Sequence, residues 1–311
     1  MNELENLLHP ISVAEFRAEY WARRPLYIRG APEKFTTLPS VDELHAALRA
    51  ADETAPGGQF QIGLLLGARE TGMLSYQQPI AGADVTSAVA AGATICVHDL
   101  STHLRDLARY ADRVSAQLGF LGKSMMNAYL SGPDGRADTH FDARVAITLQ
   151  LAGRKVWRYG RTPAVAWPPS NAQLLSDGQP FWSAPWVSED DIGIPEFDPE
   201  AMDEVELAAG DVLVLPAGTW HGTKTGESSI SLNLTLTARP FEMALASALK
   251  GLFAQDVAWR TGLPLLLDPT ETEPPAAFRA YVLARLAQIS SSAVVEQFWA
   301  DARASLRTGS K

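Results

Sequence analysis

Two short segments of the sequence carry residues that could do chemistry. The first contains His140 and Asp142, which are separated by one residue. If this segment opens a strand, the spacing places the imidazole and the carboxylate on the same side of an extended chain. Together they would supply two of the three facial positions around a non-haem Fe(II) and leave the other face open. The pair alone also fits a local hydrogen bond, so a third ligand must come from elsewhere.

His221 is the candidate third ligand, because it ends a segment that reads GDVLVLPAGTWH from Gly210. The apolar run predicts a strand, and Pro216 and Gly218 predict a tight turn after it. Proline fixes φ at the start of such a turn, and glycine permits the positive φ that the turn needs. The segment therefore predicts a strand and a turn that deliver the histidine.

This second segment resembles the second signature motif of the cupin superfamily, Gly-Asp-x4-Pro-x-Gly-x-x-His, whose terminal histidine is a metal ligand. Flanking segments extend the resemblance, and they read YWARRPLYIRG from Tyr20, NAYL from Asn127 and QLAGRKVWR from Gln150. Over roughly residues 10–240 the chain is similar to the JmjC-type cupins of the ribosomal oxygenase group, the cupin-4 family. Members of that group are Fe(II)- and 2-oxoglutarate-dependent protein hydroxylases.

The resemblance implies a role for each matching residue. His140, Asp142 and His221 would ligate the iron, and Lys155 would form an ion pair with the distal carboxylate of the cosubstrate 2-oxoglutarate. Two further residues match the family's Asn-x-Tyr strand and would line the cosubstrate pocket, namely Asn127 and Tyr129. The physical argument agrees, because a dicarboxylate buried beside a metal needs a fixed cation at its far end.

Two more residues are candidates for the cosubstrate pocket. Arg144 continues the alternation from His140 and Asp142, so it would bind a carboxylate of the cosubstrate or the substrate, or lie at the mouth of the barrel. Asn233 lies on the strand after His221, where the family uses polar side chains. His98 also follows an apolar strand, and we interpret it as structural.

The elements that position these residues form a β-rich middle of the chain. Strand-like runs separated by Gly, Pro and Asp turns cover residues 125–130, 145–151, 155–159, 211–215 and 229–237. This spacing predicts an all-β core, which the resemblance makes a double-stranded β-helix of the cupin or jelly-roll type. Before the core, the sequence predicts helices over 12–22, 41–51 and 101–118, and strands over 26–29, 60–66 and 94–97. The expected fold class is mainly β with α.

Residues 163–199 separate the two metal motifs and show no helical or strand period, although they contain three tryptophans and an acidic run. Loops of this length in a compact domain are usually functional or mobile. We interpret the segment as a lid or recognition loop over the mouth of the barrel.

After residue 240 the pattern is helical, over residues 241–253, 275–289 and 293–306. We expect a catalytic domain over 1–240, including its N-terminal flank, and a helical region over 241–311. In the resembled group this region pairs two subunits, so the resemblance implies a homodimer. The group typically continues into a winged helix, for which 311 residues leave no room.

Composition excludes some partners. With 36 acidic and 26 basic side chains the net charge is -10, so there is no positive field to hold a nucleic acid. An acidic surface would attract a basic protein or peptide, or serve solubility alone. The sequence contains no run of 18 apolar residues, so it predicts no membrane span. The single cysteine, Cys96, and an amino terminus without a signal-peptide pattern predict a cytoplasmic protein.

The leading prediction is a 2-oxoglutarate-dependent oxygenase that hydroxylates an amino-acid side chain of a protein or peptide. One alternative is a hydroxylase of a free amino acid or a natural-product intermediate. A second is a cupin metalloenzyme that does not use 2-oxoglutarate. Removal of an N-methyl group by the same iron chemistry also remains open. A binding module without turnover is disfavoured by the intact set of ligands.

Overall fold

The computed structural model describes residues 1–54, 61–66, 76–175, 177–184, 187, 192–254, 256–260, 273–289 and 291–308. The chain divides into two compact units. The first comprises residues 1–118 and 122–237, and the second comprises residues 119–121 and 238–311. All of the candidate site residues belong to the first unit.

Strands in the described part of the chain form two mostly antiparallel sheets. The strands are β1 Leu26–Ile28, β2 Gln61–Leu66, β3 Tyr76–Pro79, β4 Thr94–His98, β5 Gly122–Ser131, β6 Arg136–Phe141, β7 Val145–Ala152, β8 Lys155–Gly160, β9 Ala172–Leu174, β10 Pro180–Trp182, β11 Met202–Leu207, β12 Val212–Leu215, β13 His221–Lys224 and β14 Ser229–Ala238. The larger sheet has the order β1-β12-β7-β14-β5-β4-β2-β3, and the smaller has the order β10-β9-β6-β13-β8-β11. The prediction of a jelly-roll fold that is mainly β with α is confirmed.

Helices lie before and after the strands of the core. They are α1 Glu3–Leu8, α2 Val13–Glu15, which continues into a π-helical turn over Phe16–Tyr20, α3 Val41–Thr54, α4 Val85–Ala90, α5 Arg105–Leu118, α6 Phe241–Phe253, α7 Val257–Arg260, α8 Ala276–Leu286 and α9 Ser291–Thr308. The helix predicted from residue 101 begins later, at Arg105, because a 3-10 turn occupies Leu100–Thr102. No helix in the described ranges has both the length and the apolar character needed to cross a membrane.

The centre of the larger sheet explains the apolar runs in the sequence. Strands β7 and β12 are antiparallel neighbours, and every residue of β12 and the first six residues of β7 are buried. The unbroken apolar run of β12 suits a strand whose two faces are both covered, whereas a half-exposed strand alternates. The turn to His221 starts from this buried strand.

Asp211 ties the N-terminal segment to this base. Its side chain is buried and accepts hydrogen bonds from the Gly30 N–H at 2.8 Å, the Tyr27 hydroxyl at 3.1 Å and the Ala208 N–H at 2.9 Å. Gly210 has a φ of +94°, and a side chain there would collide with the Ala31 carbonyl. The Gly-Asp pair of the sequence motif therefore holds β1 against β12 rather than contributing to chemistry directly.

The structure corrects the position of the first metal motif. We expected His140 and Asp142 to open a strand, but β6 ends at Phe141 and Asp142 follows it. The apolar residue of the motif explains this position, because Phe141 is fully buried and its ring lies 4.6 Å from that of Trp220. Phe141 therefore anchors the end of the strand in the core, with a candidate ligand on each side.

The interpretation of residues 163–199 as a single loop is wrong for part of the segment. Residues 172–174 and 180–182 are the strands β9 and β10, and β9 pairs with β6 beside His140. Trp182 is buried in a cluster with Phe141 and Trp220. The sequence pattern hid these strands because each has only three residues, which is too short to show a period. This part of the segment extends the smaller sheet.

Candidate metal centre

Three side chains converge at one end of the smaller sheet. His140, Asp142 and His221 each offer a ligand atom, and these atoms all lie within 4.8 Å of one another. His140 and His221 are direct partners across β6 and β13, and their ring centroids are 4.3 Å apart. The Nε2 atom of His221 lies 4.0 Å from Oδ2 of Asp142. Two histidines and one carboxylate in this arrangement match the facial triad of non-haem Fe(II) sites.

A tight turn links the two motifs to each other. After β12, the Thr219 N–H donates to the Pro216 carbonyl at 3.2 Å, and the Gly218 N–H donates to the Asp142 carbonyl at 2.8 Å. Gly218 has a φ of +80°, and a side chain at this position would collide with the Val165 carbonyl. The turn therefore fixes the backbone of Asp142 and the direction of β13 together, although the two segments are far apart in the sequence.

Backbone carbonyls set the orientation of both imidazole rings. Nδ1 of His140 lies 2.7 Å from the Asp138 carbonyl, and Nδ1 of His221 lies 2.9 Å from the Thr219 carbonyl. A carbonyl only accepts, so each Nδ1 carries the proton and donates it. The neutral form of each ring then has its lone pair on Nε2, which is the form that binds a metal.

Charge in the triad also suits a cation. Burial, with a further contribution from His140, lowers the pKa of His221 from 6.5 to about 4, so this ring is neutral at neutral pH. Burial would raise the pKa of Asp142, but Arg144 and the two histidines outweigh it and lower the pKa. An ionised carboxylate beside a neutral imidazole is a normal part of a donor set for a divalent ion.

The triad opens into a cavity of about 120 Å³, far more than a single water needs. Its wall combines residues from both sheets and includes all eight candidate residues that the sequence singled out. These are Asn127, Tyr129, His140, Asp142, Arg144, Lys155, His221 and Asn233. The structure therefore brings the predicted site residues together, and their individual functions remain predictions.

Lys155 lies on the wall of this cavity as a buried cation. It is 3% exposed, and its ammonium is 5.8 Å from the centre of the Tyr129 ring. No carboxylate among the described residues forms an ion pair with it. Burial lowers its pKa from 10.5 to about 8. A buried ammonium without a counter-ion is a strong reason to expect an anionic ligand in the same cavity.

Other polar atoms of the wall are buried without a partner among the described residues. They include the indole N–H of Trp157 and the side-chain carbonyls of Gln173 and Asn233. The Trp157 ring stacks on His221 at 5.8 Å. Buried polar groups normally have hydrogen-bond partners, so these atoms favour a polar ligand between the two sheets. Of these groups, the Trp157 N–H and the Lys155 ammonium are donors and fit a dianion such as 2-oxoglutarate, whereas the two carbonyls would need a donor such as water.

The remaining wall residues were missed or interpreted differently from the sequence. His98, which we interpreted as structural, lines the cavity. It lies on the same face of β4 as Thr94, which lines the cavity too. Alternate residues of β4 share one face, so this face could have been recognised from the strand period. Asn171 and Gln173 also line the cavity, but they belong to the segment whose strands were not predicted.

A family model adds to this geometry, because residues 101–244 match the model described as a JmjC domain. The chain contains a JmjC domain. It is homologous to the bifunctional lysine-specific demethylase and histidyl-hydroxylase NO66 of Drosophila erecta, with 28% identity over 278 residues. That alignment covers 84% of the chain but only 38% of the relative, so the chain spans well under half of the relative's length.

In two further comparisons the match covers more of the other protein. The chain is 24% identical over 267 residues to the uncharacterized protein YxbC of Bacillus subtilis, which covers 83% of this chain and 77% of YxbC. The fold is similar to that of the ribosomal oxygenase YcfD of Escherichia coli in a complex with cobalt and 2-oxoglutarate. The TM-score is 0.57 at 16% identity, and the match covers 94% of this chain and 71% of YcfD. At this identity the likeness shows a shared fold.

Metal binding by the JmjC domain tests the triad directly. We expect the variant His140→Ala to lose affinity for Fe(II) or Co(II) by about 100-fold or more, because even outer-shell changes cost 10–100-fold. Calorimetric titration under anaerobic conditions measures this affinity. His98→Ala is the matched control, since it removes an imidazole from the same cavity but not from the triad. Equal losses in both variants would contradict the assignment.

Proposed function

We propose that this JmjC domain is an Fe(II)- and 2-oxoglutarate-dependent oxygenase that hydroxylates an amino-acid side chain of a protein or peptide. The observation that carries the proposal is the buried ammonium of Lys155 on the wall of the cavity that also holds the His-Asp-His triad. The relative NO66 is named a demethylase and histidyl-hydroxylase, and YcfD is named a ribosomal oxygenase. Both names support an oxygenase that acts on a protein.

In this proposal the triad holds the metal through Nε2 of His140, Nε2 of His221 and one carboxylate oxygen of Asp142. The carbonyls of Asp138 and Thr219 hold the rings in this tautomer, so little reorganisation is needed when the ion binds. When bound, Fe(II) and 2-oxoglutarate supply the oxidising power that places one oxygen atom of O2 on an unactivated C–H bond. Three protein ligands leave the remaining coordination positions for small molecules.

Lys155 receives the far carboxylate of 2-oxoglutarate. Keeping the ammonium charged in this cavity without an anion beside it costs the fold about 3 kcal/mol, given a pKa of about 8 in place of 10.5. A carboxylate beside the ammonium offsets this cost and raises the pKa again. The lysine therefore selects a ligand with a negative charge at a fixed distance from the metal.

Three neutral groups orient the same ligand. Trp157 has a buried N–H to donate, and Asn233, on β14 of the opposite sheet, would donate to a carboxylate through its side-chain NH2 group. Asn127 lies beside them on β5, where its side-chain oxygen already accepts the Asp99 N–H at 2.9 Å. Because this bond engages the side-chain oxygen, the NH2 group of the same amide remains available to donate to another acceptor. In this proposal a ligand between the two sheets contacts side chains of both.

A compartment and an assembly also belong to the proposal. Cys96 is a buried free thiol, which is consistent with a protein that works in a reducing compartment such as the cytoplasm.

The second unit has apolar side chains that are more than half exposed. They are Phe241, Met243, Val257, Leu283, Leu286, Val295 and Trp299. Exposed apolar groups in this number are typical of an interface. We therefore include a homodimer formed through the helices after residue 238.

Turnover is the test of the oxygenase proposal. We expect the full chain, reconstituted anaerobically with Fe(II) and then given 2-oxoglutarate, O2 and lysate peptides, to form succinate and to add a single oxygen to a peptide. Mass spectrometry measures both products. His140→Ala should give neither product, because it lacks a ligand. Identical products from both proteins would contradict the metal site.

Other outcomes of the same assay identify the alternatives. Oxygen gain on free amino acids but not on peptides would favour a small-molecule hydroxylase. Loss of an N-methyl group would favour a demethylase. Metal binding by the wild type without any succinate would favour a cupin metalloenzyme of another kind, and would leave the buried charge of Lys155 unexplained.

Light scattering over a range of protein concentrations tests the homodimer. We expect the mass of two chains for the wild type and the mass of one chain for the double variant Leu283→Glu and Trp299→Glu, because two charges in an apolar interface carry a large desolvation cost. Leu175→Glu is the matched control, since Leu175 is 47% exposed but belongs to the first unit. A wild type that stays monomeric throughout would contradict the prediction.

A further inference from the structure

Arg144 lies where two cavities meet. It lines the cavity that contains the triad, and it also lines a second, more open groove of about 420 Å³. Asn171 is the other residue that both share. The rest of the groove is formed by small or polar residues, namely Ala143, Pro169, Ser170, Ser183, Ala184 and Thr237. Arg144 is therefore the charged group among the described residues that line the groove.

The groove has a fixed wall. The side-chain oxygen of Asn171 accepts the Ala143 N–H at 2.8 Å, while its backbone carbonyl accepts the Ser183 N–H at 2.8 Å. These bonds connect the residue that follows Asp142 to the segment that contains β9 and β10. The groove is thus built into the fold beside the triad, and its small side chains permit close approach of another molecule.

The two oxygens of Asp142 face different partners. Oδ1 accepts from Nη2 of Arg144 at 3.5 Å, while Oδ2 is directed towards His221. Among the described residues, Asp142 is the one that accepts a hydrogen bond from this guanidinium. A guanidinium has five N–H donors, so most of them remain for another acceptor. The side chain is 32% exposed, which leaves it accessible from the groove.

In the proposed active state Arg144 would share its partner Asp142 with the metal, so the guanidinium would lack a full counter-charge. A divalent ion and Lys155 carry three positive charges, and Asp142 and a 2-oxoglutarate dianion carry three negative charges. These groups balance one another. The described residues lining the groove provide no carboxylate to match the guanidinium. A half-buried cation at the junction between the metal cavity and an open groove is well placed to receive an anion that enters from outside.

We propose that the groove is the substrate-binding surface and that Arg144 determines specificity by binding a carboxylate of the substrate near the carbon that is oxidised. This inference rests on the proposed oxygenase function and names the chemical class of its substrate. The carboxylate belongs either to an acidic side chain within a peptide or to a free acid. This differs from the expectation that the overall acidic surface selects a basic partner, because the local charge at the site is positive.

Binding of small probes tests this inference without a known substrate. The full chain is loaded with Mn(II) and saturated with 2-oxoglutarate, so that Lys155 is occupied and cannot bind the probe. The first pair of probes is N-acetyl-glutamate amide and N-acetyl-glutamine amide, which differ in the side-chain charge. The second pair is N-acetyl-alanine and its amide, which differ in the terminal charge. Saturation-transfer NMR measures affinity, and relaxation by Mn(II) reports proximity to the metal.

We expect at least one anionic probe to bind about tenfold more tightly than its amide, because a charge-assisted hydrogen bond is stronger than a neutral one. In Arg144→Gln this ratio should fall to near one. Arg144→Lys should retain part of it, which separates loss of charge from disturbance of Asp142. Arg158→Gln is the control, since Arg158 is an exposed arginine of β8 outside both cavities. The probe pair that shows the preference distinguishes a peptide side chain from a free acid.

Three results would overturn the inference. They are a wild type that binds the anionic and neutral probes equally, a preference that survives in Arg144→Gln, and an Arg144→Gln variant that loses affinity for 2-oxoglutarate while it keeps the preference. Failure of the proposed function gives a different result. In that case the wild type forms no succinate with any peptide, yet the Arg144-dependent preference for the anionic probe persists.

Discussion

A buried positive charge is the constraint on which the account of this protein depends. Lys155 is almost completely enclosed by the two sheets, and no described carboxylate neutralises it. Such a group costs stability in the absence of a ligand, so a structural role alone does not explain it. A dianion bound in the cavity would stabilise the ammonium, and the lysine would then supply a large share of the discrimination between 2-oxoglutarate and neutral molecules.

The backbone that surrounds this charge is organised to keep the metal ligands still. A hydrogen bond from Gly218 to Asp142 connects the two motifs, and carbonyls two residues before each histidine fix the rings. The register of β6 and β13 places the histidines opposite each other. Because each of these constraints is in the backbone or the strand pairing, the site is assembled by the fold itself before any ion arrives.

Much of this arrangement could be predicted from the sequence, and the parts that could not share a physical reason. The motif that ends at His221 contains the proline and glycine of its turn, and the apolar run of β12 identifies a buried strand. The strands β9 and β10 have three residues each, so neither shows a period, and the segment around them was interpreted as a loop. Asn171 and Gln173 were missed with them. The ion pair of Arg144 with Asp142 depends on a side-chain position that alternation alone left open.

Unfolding free energies test the central claim most directly, measured for the wild type and for Lys155→Met with Mn(II), with and without 2-oxoglutarate. A lysine whose pKa is about 8 in the fold and 10.5 when unfolded is protonated in both states at pH 7, where its buried charge destabilises the fold. This effect fades as the pH rises from about 8 to 10.5, because the unfolded state binds more protons over that range. We predict that without the cosubstrate the free energy of unfolding of the variant at pH 7 is equal to that of the wild type or higher by up to about 3 kcal/mol. We also predict that 2-oxoglutarate stabilises only the wild type. A variant that is less stable without the cosubstrate, and is stabilised by it as much as the wild type, would contradict the central role of Lys155.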